Sequence, residues 1–235
     1  MVEESIIAII PARGGSKRIP HKNIIDVAGK PMIVWTIEAA LQSGLIDEVV
    51  VSTDDKLIAE IAQNHGATVP FLRSDFADEN SPVSHATIQT LRQWVESGRN
   101  LPRTTVQLMA NCPLRTNSDI DIALSEFIRN QWDFLISSFP YGWSNPWWAH
   151  KVDEDGVAHA LFAEALQTRS QDLPKLFCPT GAIWIANTEQ LIKHGSFYGP
   201  GYRFFEMNWE NSIDIDDYDD LKMAEFYLKK RIELL

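Results

Sequence analysis

Short, unbroken apolar runs alternate with helical patterns along most of this chain, and that alternation limits the folds open to it. Ile6-Ile-Ala-Ile-Ile10 is β-branched and has no polar break, the pattern of a strand buried on both faces. From Pro31 a helical pattern puts Met32, Ile33, Ile37, Ala40 and Leu41 on one face and stops at Gly44. Glu48–Thr53 reads as a second strand, and Leu57, Ile58, Ile61 and Ala62 mark a helix closed by Gly66. Pro70 makes Ala67–Arg73 an edge or short strand. A polar link from Ser74 to Ser84 leads to a helix on Ile88, Leu91 and Val95. A strand is expected at Thr104–Ala110 and another at Asp133–Phe139. Between them lies a helix capped by Ser118 or Asp119 and carrying Leu124, Phe127 and Ile128. Gly181–Ala186, Tyr202–Met207 and Ser212–Ile215 read as late strands, with a short helix to His194. The closing helix holds Leu221, Ala224, Phe226, Leu228 and Ile232.

This rhythm predicts an α/β fold, a mostly parallel sheet with helices on both faces. Residues 1–235 read as one domain. The rhythm breaks between 140 and 178, a stretch rich in Trp and Pro and too long for a simple connection, so it reads as an insert or small subdomain. In a parallel sheet the ligand sits beyond the carboxyl ends of the strands. Three stretches fall there: the loop after the first strand, Ser52-Thr-Asp-Asp55, and Asn111-Cys-Pro113. Asp54 and Asp55 also read simply as helix caps.

The loop after the first strand is Pro11-Ala-Arg-Gly-Gly-Ser-Lys-Arg-Ile-Pro-His-Lys-Asn23. It holds Arg13, Lys17, Arg18 and Lys22 and no acid, in a chain whose formal net charge is −11. Adjacent Gly14 and Gly15 let backbone N–H groups converge on an anion, and the cations supply countercharge. A polyphosphate is the natural guest. The loop has neither the P-loop spacing nor the third glycine of a dinucleotide fingerprint.

Near the other end, Asp214-Ile-Asp216 puts two carboxylates on one side of an extended chain. Such a pair suits Mg²⁺, which keeps waters and takes phosphate oxygens as its other ligands. Asp217, Asp219 and Asp220 read as helix N-terminal acids. An EF-hand starting at Asp214 is excluded, because Asp219 stands where glycine is needed. The six histidines show no ligand spacing, and neither do Cys112 and Cys178. The acidic balance argues against a nucleic-acid partner. No apolar run reaches membrane-spanning length and no leader pattern precedes Ile6, so a cytoplasmic protein without a membrane partner is expected.

The motif Pro11–Asn23, followed by Gly29-Lys-Pro-Met32, resembles the opening of the acylneuraminate (nonulosonate) cytidylyltransferases. Val51-Ser-Thr-Asp54, Pro113-Leu-Arg115, Gly181-Ala-Ile183 and Ser212-Ile-Asp-Ile-Asp216 resemble later landmarks of that family, in order. The resemblance implies a Rossmann-like fold of the nucleotide-sugar pyrophosphorylase kind, with an insert used for dimerisation. It implies that CTP and a nonulosonic acid give the CMP-sugar and pyrophosphate, by attack of the anomeric hydroxyl on the α-phosphorus. By that match Arg13, Lys17 and Lys22 contact the triphosphate, with Gly14, Gly15 and Ser16 of the same loop. Asn23 and Arg73 hold the cytidine, Asn111 contacts base or ribose, and Asp214 and Asp216 bind Mg²⁺. Arg13, Lys22 and Asp216 carry the catalytic role. Arg169 and Gln171 face the sugar acid, and the partner in the assembly is a second copy, whose insert reaches across.

Some residues depart from the sialate-type pattern. Met109-Ala-Asn-Cys-Pro113 stands where those members have Gln-Pro-Thr-Ser-Pro. Cys178 replaces an arginine, and a lysine is lost within Asn145-Pro-Trp-Trp148. Ala77–Pro82 and Arg169–Leu173 resemble the pseudaminate branch, which implies a more deoxygenated nonulosonic acid than N-acetylneuraminate. Trp143, Trp147 and Trp148 form either a dimer core or an apolar wall for the sugar. Two other functions share parts of the pattern. A 3-deoxy-octulosonate cytidylyltransferase uses the same chemistry, and an Asp-x-Asp sugar transferase uses a similar metal motif.

Overall fold

The computed structural model describes residues 2–73 and 82–234. Ten strands are β1 (Val2–Pro11), β2 (Asp26–Val27), β3 (Lys30–Pro31), β4 (Glu48–Ser52), β5 (Leu101–Gln107), β6 (Phe134–Pro140), β7 (His150–Val152), β8 (Ala158–Ala160), β9 (Phe177–Asn187) and β10 (Arg203–Glu206). Six α-helices are α1 (Met32–Leu41), α2 (Lys56–Asn64), α3 (Val83–Glu96), α4 (Asn117–Arg129), α5 (Thr188–His194) and α6 (Tyr218–Glu233).

The main sheet has the order β10-β6-β9-β5-β1-β4. β1 runs parallel to β4 and β5, and β10 parallel to β6. β9 is antiparallel to both β5 and β6, so it alone runs against the other five. The expected α/β architecture is therefore present. Side-chain alternation along β1 splits the core into two layers. Ala8 and Ile10 pack with Ile33 and Ile37 of α1, Ile58 of α2 and Leu124 of α4. Ile7 and Ile9 pack on the other face with Ile88 and Leu91 of α3 and Leu191 of α5.

A third cluster matters most for the site. Ile19 of the basic loop, Leu114, Ile213 and Ile215 pack with Ala224 and Leu228 of α6. Three remote segments are thereby fixed to one another by their apolar residues, and their polar neighbours are left facing a common space.

Several expectations are corrected. Thr116 caps α4, its hydroxyl accepting from Asp119 N while Asp119 accepts from Thr116 N; Ser118 lies inside the first turn. Ser212–Ile215 pairs with no strand; a 3₁₀ turn at Glu210–Ser212 leads into extended chain. The segment 67–73 makes a single bridge, Val50 to Thr68. Trp94, not Val95, is the buried residue at that turn of α3, and Ile128, Phe226 and Ile232 lie largely exposed. Within 140–178 the chain forms the short antiparallel ribbon of β7 and β8 and three 3₁₀ turns. The polar link and the stretch 77–82 fall mostly outside the described residues.

Candidate active site

The parallel strands deliver their carboxyl ends to one edge of the sheet, and a cleft of about 760 Å³ opens there. Arg13, Ser16, Lys17, Lys22, Asn23, Arg73, Asn111, Asp214 and Asp216 all line it, together with Arg18. Nine residues selected from sequence, spread over about two hundred positions, thus face one space. Arg169 and Gln171 do not line it; they flank and occupy an exposed 3₁₀ turn, Ser170–Asp172, in the insert.

The basic loop is shaped by bonds to its neighbours. Gly14 N donates to Asp54 Oδ1 at 2.9 Å, so this amide is committed to the loop's own geometry and not to an anion. A side chain at Gly14 would put its Cβ 2.6 Å from Asp55 Oδ2. Asp55 is fixed in turn, because its carboxylate caps α2 through Leu57 N and Ile58 N. Asp55 is therefore a cap, as expected, while Asp54 is a loop clamp. Asn23, buried in a 3₁₀ turn, donates from Nδ2 to Arg13 O at 2.8 Å. Its amide braces the cation-bearing backbone.

Arg73 is buried, 5% exposed, with Nη1 donating to Ser52 Oγ at 3.2 Å. Thr90 Oγ1 donates to the same Ser52 oxygen at 2.7 Å. Burial lowers the Arg73 pKa, with the Asp54 charge opposing and Arg13 adding to the drop. A guanidinium still remains charged near neutrality. Its buried Nε has no partner among the described residues, and the residue lines the cleft.

The two carboxylates line the same cleft. Ile213 and Ile215 point into the core, 7% and 0% exposed, so Asp214 and Asp216 point the other way. Asp216 is held by two loop cations: Lys22 Nζ at 3.2 Å from Oδ1 and Arg18 Nη1 at 3.1 Å from Oδ2. Lys22 also donates to Ile215 O at 2.8 Å. Asp214 is exposed as a whole residue, while protein crowds its carboxylate. That burial, and next the Asp216 charge, raise its pKa to about 6 against the pull of Lys22. Asp214 accepts from the Asn111 side-chain amide. Gly181 leaves the room this corner needs, since a Cβ there would lie 2.7 Å from Met109 Cγ and 3.4 Å from Asp214 Oδ2.

Among the described residues no group of three or more His, Cys, Asp or Glu could hold a metal. The two carboxylates alone still fit Mg²⁺, an ion that takes one or two carboxylates and completes its shell with phosphate oxygens and water. Burial is the larger cause of the raised Asp214 pKa, and the second carboxylate adds to it.

Three contributors had weak or no signals in the sequence. Arg18 lay in the acid-free loop without an assigned role. Asp54 was hidden behind its cap-like neighbour. Arg115 is 2% exposed, donates to Ala182 O, and has its pKa lowered by burial to about 10. It ties the loop after β5 to β9, and nothing in the local pattern marks an arginine as buried.

A family model described as Cytidylyltransferase matches residues 7–181. The chain belongs to the cytidylyltransferase family. It is a nucleotidyltransferase enzyme. This cytidylyltransferase is 34% identical over 225 residues to a pseudaminic acid cytidylyltransferase of Campylobacter jejuni, covering 95% of this chain and 96% of that one. It is 36% identical over 234 residues to a CMP-N,N'-diacetyllegionaminic acid synthase of Legionella pneumophila, covering 98% and 99%. An N-acylneuraminate cytidylyltransferase of Streptococcus agalactiae is 32% identical over 216 residues; the match covers 91% of this chain and about half, 51%, of that protein. Among solved structures, a CMP:2-keto-3-deoxy-manno-octonic acid synthetase complexed with CTP superposes with a TM-score of 0.72 at 18% identity, covering 97% and 99%. That likeness confirms the fold.

Proposed function

We propose that this cytidylyltransferase couples CTP to a nonulosonic acid, releasing pyrophosphate and forming the CMP-sugar. The observation that carries this reading is the gathering of two oppositely charged sets in one cleft. Arg13, Lys17, Arg18, Lys22 and Arg73 line it together with Asp214 and Asp216, and Asp216 already pairs with Lys22 and Arg18. Both substrates are anions, so bringing them together is the main electrostatic problem. The loop cations hold the triphosphate and stabilise charge that develops as pyrophosphate leaves. Arg73, which is buried, suits the nucleoside end, and Val83 and Ala86 in the first turn of α3 line the same cleft. Asp214 and Asp216 would hold Mg²⁺, which supplies charge neutralisation at the reacting phosphate. Much of the remaining rate comes from holding the two substrates in line.

The relatives' names support a nonulosonic acid, and those named for pseudaminic and legionaminic acids match over nearly their whole length. The 3-deoxy-octulosonate alternative rests on a structural likeness at 18% identity. Arg169 and Gln171 stand away from the cleft, which supports a homodimer in which the partner copy brings these residues to the sugar acid. Cys112 and Cys178 are unpaired, as suits a reducing cytoplasm. Among the described residues no helix is long and apolar enough to cross a membrane.

The test is pyrophosphate release from CTP and Mg²⁺ with pseudaminate, legionaminate, N-acetylneuraminate and 3-deoxy-octulosonate, with Asp216→Ala as control. Release with a nonulosonate, lost in the variant, is expected. Release with 3-deoxy-octulosonate alone would overturn the substrate class.

A further inference from the structure

We infer that Asn111 is a positioning residue for the metal carboxylate Asp214, and not a hydrogen-bond donor to base or ribose. The inference rests on the Mg²⁺ reading above. Asn111 sits on the loop after β5 and is 8% exposed. Its side-chain NH₂ donates to Asp214 Oδ1 and, at 3.1 Å, to Ile215 O. Its own backbone carbonyl accepts from Ile215 N at 2.9 Å. One residue therefore grips both the carboxylate and the main chain beside it. An amide nitrogen has two hydrogens. Both are spent here, so Asn111 has no N–H left for the oxygen or ring nitrogen of a base.

The loop that carries Asn111 is itself fixed. Met109 N donates to Gly181 O at 3.2 Å, and Cys112 N to Met109 O at 3.4 Å. Buried Arg115 donates to Ala182 O on β9. The chain of support runs from the sheet through this loop to Asp214. Asp216 is positioned differently, by ion pairs with Lys22 and Arg18. Asn111 is neutral, so it can keep Asp214 oriented without contending with a cation for its charge. Outer partners that orient a metal ligand typically account for a 10- to 100-fold change in metal affinity.

The test uses Mn²⁺, which electron paramagnetic resonance detects when free, titrated into the nucleotide-free protein. Affinity for CTP is measured separately in EDTA. In Asn111→Ala, Mn²⁺ binding should weaken about 10- to 100-fold while CTP affinity in EDTA stays within about twofold. Asn111→Ser, with one hydroxyl donor, should fall between. Asp214→Ala is the arm that checks the metal reading: unchanged Mn²⁺ affinity there would end that reading. If Asp214→Ala loses Mn²⁺ and Asn111→Ala does not, the positioning role alone is overturned. A fall in EDTA-measured CTP affinity with Mn²⁺ unchanged would return Asn111 to the nucleotide. Equal losses of both, with a lowered melting temperature, would make it a mere tether between two loops.

Discussion

Asp214 carries a charge that its surroundings resist. Its folded pKa, about 6, lies above the ordinary aspartate value, because of burial and the neighbouring Asp216. A raised pKa means that the folded protein binds the proton more tightly than the unfolded chain does. The stabilisation this gives is complete below about pH 4 and is lost as pH rises through about 6. The metal-free protein is therefore expected to be less stable at pH 7.5 than Asp214→Asn, with the difference closing by pH 4. Thermal denaturation in EDTA at the two pH values checks this, and a variant no more stable than the parent at pH 7.5 contradicts it. The glycines make a second pair of expectations. Gly14→Ala forces a methyl against Asp55, whose carboxylate is pinned by two amides of α2. Overpacking of that kind costs about 1–3 kcal/mol, and the KM for CTP should rise with it. Gly15→Ala meets nothing within 4 Å and should leave the melting temperature unchanged.

Elements are set by patterns that sequence displays, and their ends by bonds that it displays less well. Thr116 shows this. Its hydroxyl and the Asp119 carboxylate close the start of α4 reciprocally, whereas Ser118 sits within the first turn. Thr116→Ala should cost about 1 kcal/mol, a drop of about 2–4 °C in melting temperature for a chain of this size, while Ser118→Ala should do nothing measurable. The strands at 6–10, 48–53 and 133–139 were legible because two-sided burial demands unbroken apolar runs. The segment 212–215 reads as a strand but is not one, since Ile213 and Ile215 alternate with Asp214 and Asp216 as a strand would. They do so to dock on Ile19 and α6, without a neighbour in the sheet. Alternation reports which way side chains face and says nothing about pairing. The antiparallel direction of β9 had no local sign either, because direction depends on the connections. Of the apolar residues that mark the closing helix, Ala224 and Leu228 hold the buried face of α6, whereas Phe226 and Ile232 lie largely exposed. Of the nine cleft residues, charge and spacing marked Arg13, Lys17, Lys22, Asp214 and Asp216 and a strand end marked Asn111, whereas Ser16, Asn23 and Arg73 were marked by the resemblance to the family. Asp54 and Arg115 were missed because their roles consist of bonds to backbone groups distant in sequence.

At the scale of the molecule, two halves of the charge problem sit in different places. The cleft gathers five cations in a chain of formal net charge −11, and the insert holds Arg169 and Gln171 away from it. The insert has little means of sustaining itself. β7 and β8 are three residues each, all six at least partly exposed, and a two-stranded ribbon of that size is marginal in water. Trp147 is internal to the insert, its Nε1 donating to Pro174 O and its ring edge-on to Phe162 at 5.1 Å. Trp143 is different: 93% of it is exposed, and Val152 and Leu161 are 67% and 48% exposed. Apolar groups so placed gain by mutual burial, at about 25 cal/mol for each Å² removed from water. The proposed homodimer would supply that burial and would set one copy's Arg169 beside the other's cleft. The 26.6-kDa chain should therefore sediment as a dimer. The double variant Trp143→Ser, Val152→Glu should sediment as a monomer, keep its affinity for CTP, whose contacts lie within one copy, and lose turnover of the sugar acid. A monomeric parent, or a monomeric variant with full turnover, would show that each cleft is complete by itself.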